Sequence, residues 1–358
     1  MVNGARRVIS VLLLLLTGCG LGPLQGQSKG TQNLPYHSIL GPQADGYVST
    51  MAWPRGNQIF VGYVPAEVSR LPEVRRLKTD GSEFVTINLP DDSACRRTSY
   101  QGFGVLHDGR FAIVKICDLP AGASPPASYG AVAYDAQSGA VEQLFPLENK
   151  IHPSGLSFNR TNDRAVIAQG GSVCGTIAYM TRNGVEPVSV TIRDGNRRWR
   201  LDDYFQRKPG DDCSAIGRAD GPDWSLDGRR IAFMAFPQAI GQSGPDRLEV
   251  PGNIYLMDAA TLSVKVLVHD VRYPAGVSWS PDGNWLAFSA SDVPGHGGGT
   301  WLISASSGNF VRVSDRPMTQ VVWSPDGSQL LGLWDNGKGT WPPQTELDLF
   351  DVQSVRHP

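Results

Sequence analysis

One short pattern recurs in this chain and limits the folds open to it. Residues 279–283 read Trp-Ser-Pro-Asp-Gly and lead into an apolar run, residues 323–327 repeat the same five, and residues 224–228 repeat them with Leu in place of Pro. Each copy predicts a strand ending at the Trp, a tight turn and a second apolar strand, because the Gly supplies the positive φ that closes a short hairpin. Three copies indicate a repeat protein. Since the turn is structural, its Asp is not a catalytic candidate.

Weaker copies of this hairpin precede the three clear ones and bring the number of units to six. The residues that end the first strand of each unit are Trp53, Leu106, Phe158, Trp224, Trp279 and Trp323. Most units continue into a second hairpin, such as residues 253–258 with 264–268, so a unit is a four-stranded antiparallel sheet of propeller-blade size. The 41 Gly, 26 Pro and only 18% charged residues suit short strands and tight turns. We therefore predict an all-β fold, a six-bladed β-propeller.

The last unit has too few residues for a well-formed fourth strand of its own after residues 347–352. A segment before the first unit, residues 36–40, is predicted to supply that strand. Such a closure joins both ends of the chain in one blade and removes an exposed sheet edge.

The turn pattern resembles the repeats of the TolB-like six-bladed β-propellers, which also occur in relatives of prolyl oligopeptidase. The resemblance covers about residues 40–358 and implies the fold, whereas function transfers poorly between proteins that share a propeller. The sequence contains no phosphate-binding Gly-Lys-Ser/Thr loop and no His-Glu-x-x-His pair. The six units occupy about residues 40–358, so the hydrolase domain that would carry Ser, Asp and His has no residues left, and the resemblance to prolyl-oligopeptidase relatives is expected to stop at the propeller.

The N-terminal residues predict export. Arg6 and Arg7 precede an apolar run, residues 11–16, that is too short to span a membrane and is typical of a signal peptide. Residues 16–19, Leu-Thr-Gly-Cys, resemble the lipobox of bacterial lipoproteins, in which the Cys becomes the new N-terminus and carries a diacylglycerol. The alternative is an ordinary signal peptide with a chance Cys. We predict a signal peptide at 1–18, lipidation of Cys19, a flexible Gly-, Gln- and Ser-rich tether over 19–35, and one propeller domain over 36–358.

This N-terminus predicts an extracytoplasmic protein held at a membrane by its lipid. Gly20 follows the lipidated Cys, where an Asp would suggest retention at the inner membrane. In a bacterium with two membranes the pattern resembles that of lipoproteins sorted to the outer membrane. In an organism with one membrane the protein would lie on the outer face of the cell membrane.

Charge and cysteine content exclude some classes of function. Removing residues 1–18 takes away two of the 32 basic residues and none of the 34 acidic ones, so the formal net charge changes from −2 to −4. A basic footprint for nucleic acid is therefore not expected. Of the five cysteines, four remain besides the lipidated Cys19, and an even number in an exported chain favours two disulfides over a metal site. Of three connectivities we favour Cys95 with Cys117 and Cys174 with Cys213, because each pair then stays within one unit or an adjoining loop; no metal or cofactor is predicted.

A candidate binding rim follows from the alignment of the six units. Residues at one offset on the innermost strands are expected to form a ring near one mouth of the channel. The residues six positions before the anchors, with Arg316 beside the last, are Tyr47, Tyr100, His152, Arg218, Tyr273 and Pro317. Tyr and Arg offer contact area and hydrogen bonding, which suits a binding rim. The alternative is that these residues pack between blades or cap strands.

Two loops are weaker candidates. The longest insertion, residues 193–220, mixes arginines, aromatics and four aspartates that could in principle bind Ca²⁺, which prefers several oxygen ligands. The positions of these four, Asp202, Asp203, Asp211 and Asp212, match no calcium loop, so solvated carboxylates are the favoured interpretation. His296 in a Gly-rich loop could titrate near neutrality, but no metal-ligand partner is visible and flexibility is the better interpretation.

These observations predict a lipid-anchored binding or scaffolding module, monomeric, that presents a channel mouth to an envelope protein or a small ligand. Contact with the membrane is expected through the lipid only. The rival is an enzyme with its active site at the channel, of lyase, glycosidase or dehydrogenase type, with His152 and Asp220 or Asp223 as acid and base. A third possibility is a structural envelope protein without a defined ligand.

Overall fold

The structure, a computed structural model, describes residues 33–119, 127–148, 153, 155–169, 176–194, 197–201, 218–236, 251–336 and 340–356. The predicted signal peptide, Cys19 and most of the predicted tether lie outside these residues. The described part is almost entirely β-structure, with one short helix, α1 (Gln353–Arg356), near its end. Within it, no helix has the length and hydrophobicity needed to span a bilayer.

Six four-stranded antiparallel sheets form the blades, and this confirms the predicted all-β six-bladed propeller. The first blade consists of β2 (Gly46–Arg55), β3 (Gln58–Pro65), β4 (Glu73–Lys78) and β5 (Val85–Thr86). The second consists of β6 (Arg97–Val105), β7 (Phe111–Asp118), β8 (Ala127–Tyr134) and β9 (Val141–Glu148). The third consists of β10 (Ser157–Phe158), β11 (Arg164–Gln169), β12 (Thr176–Thr181) and β13 (Gly184–Pro187).

An additional two-stranded hairpin precedes the last three blades. It is formed by β14 (Thr191–Asp194) and β15 (Arg197–Arg200). The fourth blade consists of β16 (Arg218–Trp224), β17 (Arg230–Phe236), β18 (Gly252–Asp258) and β19 (Val264–Val271). The fifth consists of β20 (Ala275–Trp279), β21 (Trp285–Ala290), β22 (Gly299–Ser304) and β23 (Phe310–Ser314). The sixth consists of β24 (Gln320–Trp323), β25 (Gln329–Asp335), β26 (Thr345–Asp351) and β1 (Tyr36–Leu40).

The sixth blade confirms the predicted closure of the ring. β1 pairs antiparallel with β26, with Tyr36 opposite Phe350 and Ser38 opposite Asp348. The innermost strands β2, β6, β10, β16, β20 and β24 contact one another in this order, and β24 contacts β2. The two ends of the chain therefore meet in one sheet.

The hydrophobic core is divided among the interfaces between blades. On β3, for example, Ile59 and Val61 pack with Leu331 of the sixth blade, whereas Phe60 between them packs with Phe111 of the second blade. Both faces of β3 are buried, because each blade lies between two others. The middle strands therefore read as continuous apolar runs and not as alternating ones.

The three clear repeats share one turn. Gly228, Gly283 and Gly327 have φ of 73°, 67° and 71°, so the positive φ expected of this position is confirmed. In the turn of the fifth blade, the Ser280 hydroxyl donates to the Asp282 carboxylate (2.6 Å) and accepts the N–H of Trp285 (2.9 Å). The same pair of bonds is present in the turns that follow Trp224 and Trp323. The Ser and Asp of the motif are thus used to hold the hairpin.

Candidate functional site

The two ends of the ring differ in what they present. All six innermost strands run the same way, since each is followed by its hairpin turn at one end of the ring. We call the other end, where the innermost strands begin and where strands such as β3 and β25 finish, the upper mouth. Three of the six exposed large apolar side chains among the described residues lie at the upper mouth, on connections between strands: Val68, Tyr273 and Trp341.

Tyr47 and Tyr273 of the predicted rim lie at the upper mouth. Tyr47 is the second residue of β2, and its ring centroid is 5.8 Å from that of Trp341 at an interplanar angle of 71°. Partial burial, and secondarily the charge of Asp335, raise the pKa of the Tyr47 phenol. Tyr273 lies just before β20 with a φ of 44° and is 37% exposed.

Tyr100 and Arg316 direct their polar groups toward neighbouring parts of the protein. The Tyr100 hydroxyl donates to the carbonyl of Pro90 (2.6 Å), and its ring packs against the core between the first two blades. The Arg316 guanidinium lies between the rings of Tyr36 and Trp334 and donates to Asp348 (2.9 Å). These contacts are those of residues packed in and between blades.

The remaining rim positions are less fully described. Arg218 begins β16, so its backbone lies at the upper mouth. His152 lies outside the described residues. The structure thus brings Tyr47 together with Trp341, an aromatic residue that the sequence reasoning missed. Its signal was a Trp followed by two Pro in the connection between β25 and β26.

A belt of polar contacts joins the innermost strands, and we call the side chains of Ser157, Asp223 and Gln320 the inner belt. One Asp223 oxygen accepts from the Ser157 hydroxyl (2.7 Å) and the other from the N–H of Trp279 (2.6 Å). The Ser157 oxygen in turn accepts the N–H of Trp224 (2.7 Å). Asp223 therefore links the third, fourth and fifth blades.

The opposite side of the inner belt is neutral. The Gln320 side chain accepts from the N–H of Met51 (2.9 Å) and donates to the carbonyl of the same residue (3.1 Å). These two bonds join the sixth blade to the first, in the manner of a short ladder between strands.

Burial changes the acidity of Asp223. Burial raises the pKa of the carboxyl from 3.8 to about 6. The hydrogen bonds from Ser157 and the backbone lower this pKa, but their effect is smaller than that of burial. A β-bulge places this side chain: Asp220 pairs with Met234 and Asp223 with Ala232, so Gly221 and Pro222 face a single residue. Gly221 adopts a φ of 55°, a conformation that other residues avoid, and the bulge turns Asp223 toward its two neighbours.

One disulfide is present in the described part of the chain. Cys95 and Cys117 are bonded and tie the segment before β6 to β7. Beside them the Lys115 ammonium pairs with Asp92 (2.5 Å), in a site where the Lys is almost fully buried. Cys174 and Cys213 lie outside the described residues.

Of the two candidate loops, the structure describes the one that contains His296. The His296 ring stacks on Phe310 with 4.6 Å between centroids and lies edge-on to Trp301, so this side chain rests on the fifth blade. The four aspartates of the insertion, Asp202, Asp203, Asp211 and Asp212, fall outside the described residues. Among the residues that are described, no cluster of three or more His, Cys, Asp or Glu is suited to hold a metal ion.

Comparison with solved structures places this architecture among known propellers. A calcium-binding protein, regucalcin, from Agrobacterium tumefaciens superimposes with a TM-score of 0.53 over 90% of this chain and 95% of that one, at 12% identity. A luciferin-regenerating enzyme gives 0.52 over 90% and 96%, at 14% identity. The chain shares their fold. TolB from Acinetobacter baumannii gives 0.47 over 86% and 79%, at 14% identity. At these identities the likeness shows the fold alone.

Comparison of sequences adds one partial match. The uncharacterized peptidase YuxL of Bacillus subtilis (strain 168) is 28% identical over 151 residues, which are 41% of this chain. The match spans about a fifth (22%) of the length of that curated relative. No family model matches the chain.

Proposed function

We propose that this chain is a lipid-anchored, extracytoplasmic β-propeller of the bacterial cell envelope that binds a protein or a small ligand at its upper mouth. The observation that supports this most is the exposed aromatic surface there, where Trp341 is 50% exposed beside Tyr47 and Tyr273 is 37% exposed. Aromatic side chains bury much area for little conformational entropy and are enriched at binding hot spots. The anchor rests on the lipobox-like residues that end at Cys19.

The binding proposal is tested by crosslinking and co-purification from native membranes. The wild-type protein is compared with a Tyr47→Ala, Tyr273→Ala, Trp341→Ala variant. Its matched control, Val85→Ala with Leu226→Ala, removes two side chains that are 44% and 48% exposed away from the upper mouth. We expect a specific partner captured by the wild type and the control and lost in the triple variant. Equal capture by all three would refute binding at the upper mouth.

Capture of no protein by any form would direct the search to small ligands. Binding of candidate envelope compounds is then measured by the fluorescence of Trp341 against a Trp341→Phe variant. Lipidation is tested separately by mass spectrometry of the N-terminal peptide from membranes. A diacylglycerol on Cys19 of the wild type, and its absence from a Cys19→Ser variant, is the expected result.

A second candidate, a propeller enzyme, is favoured by one observation. Asp223 has its pKa raised to about 6 and lies 2.7 Å from the Ser157 hydroxyl, and a general acid or base works best with a pKa near the operating pH. The name of the YuxL relative places a peptidase among the activities to screen. Against this, both carboxylate oxygens accept bonds from the ring itself. Turnover that is lost in a folded Asp223→Asn variant would favour the enzyme over the binding module.

A further inference from the structure

The hairpin β14–β15 buries the side chain of Ile192 and exposes arginines on its opposite face. Ile192 is fully buried in the core between the third and fourth blades. The opposite face carries Arg193 and Arg198, which are directly opposite each other in the register, and Arg200, which pairs with Thr191. All three arginines are exposed, and we call this surface the arginine face.

The arginine face lowers the stability of the hairpin itself. Like charges directly opposite each other on neighbouring strands repel and destabilise the pair. No carboxylate in the described part of the chain forms an ion pair with Arg193 or Arg198, unlike Arg70 and Arg97, which pair with Glu73 and Asp118. The whole chain has a formal charge of −2, so this concentration of positive charge is local. The positive charge of this surface is complementary to that of an anion.

The hairpin also has a defined place on the ring. Its base is held by the bond from the N–H of Leu201 to the carbonyl of Val190 (2.9 Å), and Thr176, the first residue of β12, donates its hydroxyl to the carbonyl of Leu201. β12 begins at the upper mouth, because β11 before it runs away from the hairpin turn. The hairpin that carries the arginine face therefore lies at the upper-mouth end of the ring.

We propose that the arginine face docks on the phosphate headgroups of anionic membrane lipids and turns the upper mouth toward the membrane. Guanidinium groups bind phosphate through paired N–H donors, and all three cations of this face are Arg and not Lys. Exposed aromatic side chains at the same end, Tyr273 and Trp341, are of the type that settles at a membrane interface.

The reach of the tether supports this occupant over an acidic protein, and here the inference rests on the proposed lipid anchor. The tether, residues 19–35, can extend to roughly 60 Å at about 3.5 Å per residue. That exceeds the width of roughly 50 Å expected for a compact body of this size. Any face of the ring can therefore meet the headgroups, and the arginine face carries a charge complementary to theirs.

The test measures binding of the mature chain, residues 19–358 with Cys19→Ser, to vesicles, so that neither the lipid nor the signal peptide plays a part. One set of vesicles is phosphatidylcholine alone and the other contains phosphatidylglycerol. We expect tighter binding to the second set, and a loss of about 100-fold in an Arg193→Gln, Arg198→Gln, Arg200→Gln variant, from about fivefold per arginine near an anionic surface. The matched control, Arg55→Gln, Arg160→Gln, Arg229→Gln, removes equal charge from exposed side chains at the hairpin turns, on the end of the ring away from the upper mouth, and it should retain binding.

Three results would overturn the proposal, provided that both variants unfold at the wild-type temperature. Equal binding to the two sets of vesicles would show that the protein does not recognise the negative charge of the headgroups. Equal losses in the arginine-face variant and its control would reduce the effect to net charge. Tighter binding to a polyglutamate peptide than to the vesicles, lost in the arginine-face variant, would assign the face to an acidic protein. None of these results bears on capture at Tyr47, Tyr273 and Trp341, so the proposed function stands or falls separately.

Discussion

Replacing Asp223 by Asn should change the stability of this protein with opposite sign at low and at neutral pH. In the folded state the Asp223 carboxyl has a pKa of about 6, against 3.8 for an ordinary Asp. Asn has nearly the same shape but cannot ionise. The variant therefore removes a charge that the fold disfavours, while it keeps a polar group between Ser157 and Trp279.

The size of the effect follows from the two pKa values. A pKa raised in the folded state means that folding favours the protonated form, so stability from this group is present below about pH 4 and is lost as the pH rises to about 6. The difference of about two pKa units corresponds to about 3 kcal/mol in the free energy of unfolding. This loss is complete at neutral pH, where the wild type holds a partly buried carboxylate.

The amide brings a smaller cost of its own. Its oxygen can accept the N–H of Trp279, and its NH₂ can donate to the Ser157 oxygen, which already accepts the N–H of Trp224. The Ser157 hydroxyl proton then loses its acceptor, at a cost of about 1 kcal/mol. We therefore expect the Asn variant to be about 1 kcal/mol less stable than the wild type near pH ~4 and about 2 kcal/mol more stable near pH ~8.

The assay is urea unfolding followed by tryptophan fluorescence at several pH values, with free energies obtained by linear extrapolation. Asp223→Ala serves as the companion variant. It leaves both the Ser157 hydroxyl and the Trp279 N–H without an acceptor and should be about 2 to 4 kcal/mol less stable than the Asn variant at every pH. A wild-type-to-Asn difference that does not change between pH ~4 and pH ~8 would refute the raised pKa and, with it, the burial of this carboxylate.

Three further tests by substitution address other parts of the fold. Asp326→Ala removes the acceptor of Ser324 and Ser328 and should cost about 1 kcal/mol at neutral pH; because these bonds lower the pKa of Asp326, the cost should shrink in urea unfolding as the pH falls through the acid range. Replacing Cys95 and Cys117 by Ser removes a crosslink between residues 22 apart and should cost about 3 kcal/mol in urea unfolding without reductant, whereas with reductant the difference between variant and wild type should disappear. Gly104→Ala would place a methyl 2.3 Å from the Leu156 carbonyl oxygen and should lower the melting temperature by an amount equivalent to about 2 kcal/mol, whereas Gly41→Ala, with nothing within 4 Å, should not.

The architecture could be predicted because its signals are local. A Trp that ends a strand, a Ser and Asp that bond within five residues, and a Gly with positive φ all lie in one short stretch, as at 279–285. The closure by β1 could be predicted because the last unit is visibly one strand short. Periodicity and turn chemistry thus suffice to predict the fold when every blade has the same strand order and the same kind of packing.

The site could be predicted only in part, because the contacts that decide it are distant in sequence. Equal offset from the anchors places Tyr47 and Tyr273 at the upper mouth, yet it cannot show that Arg316 reaches an Asp 32 residues further on. Asp223 meets its partners across separations of 66 and 56 residues, through a bulge that no repeat signal marks. The direction of a side chain depends on such bulges and on contacts with neighbouring blades, and the repeat pattern of the sequence predicts neither.

The seam between β1 and β26 sets the order in which this molecule can be completed. Tyr36 and Phe350 face each other there and are more than 300 residues apart in the chain. The strand β1 is synthesised first among the strands but cannot pair until β26, the last strand, has been made. Until β26 is made, the side chain of Ile39 lacks Leu347 and Leu349, its partners in the core between the sixth and first blades. Contacts of such long sequence separation form late in folding. An incomplete chain therefore remains an open arc with two unpaired edges, and a cut near either end should reopen the ring at the same place.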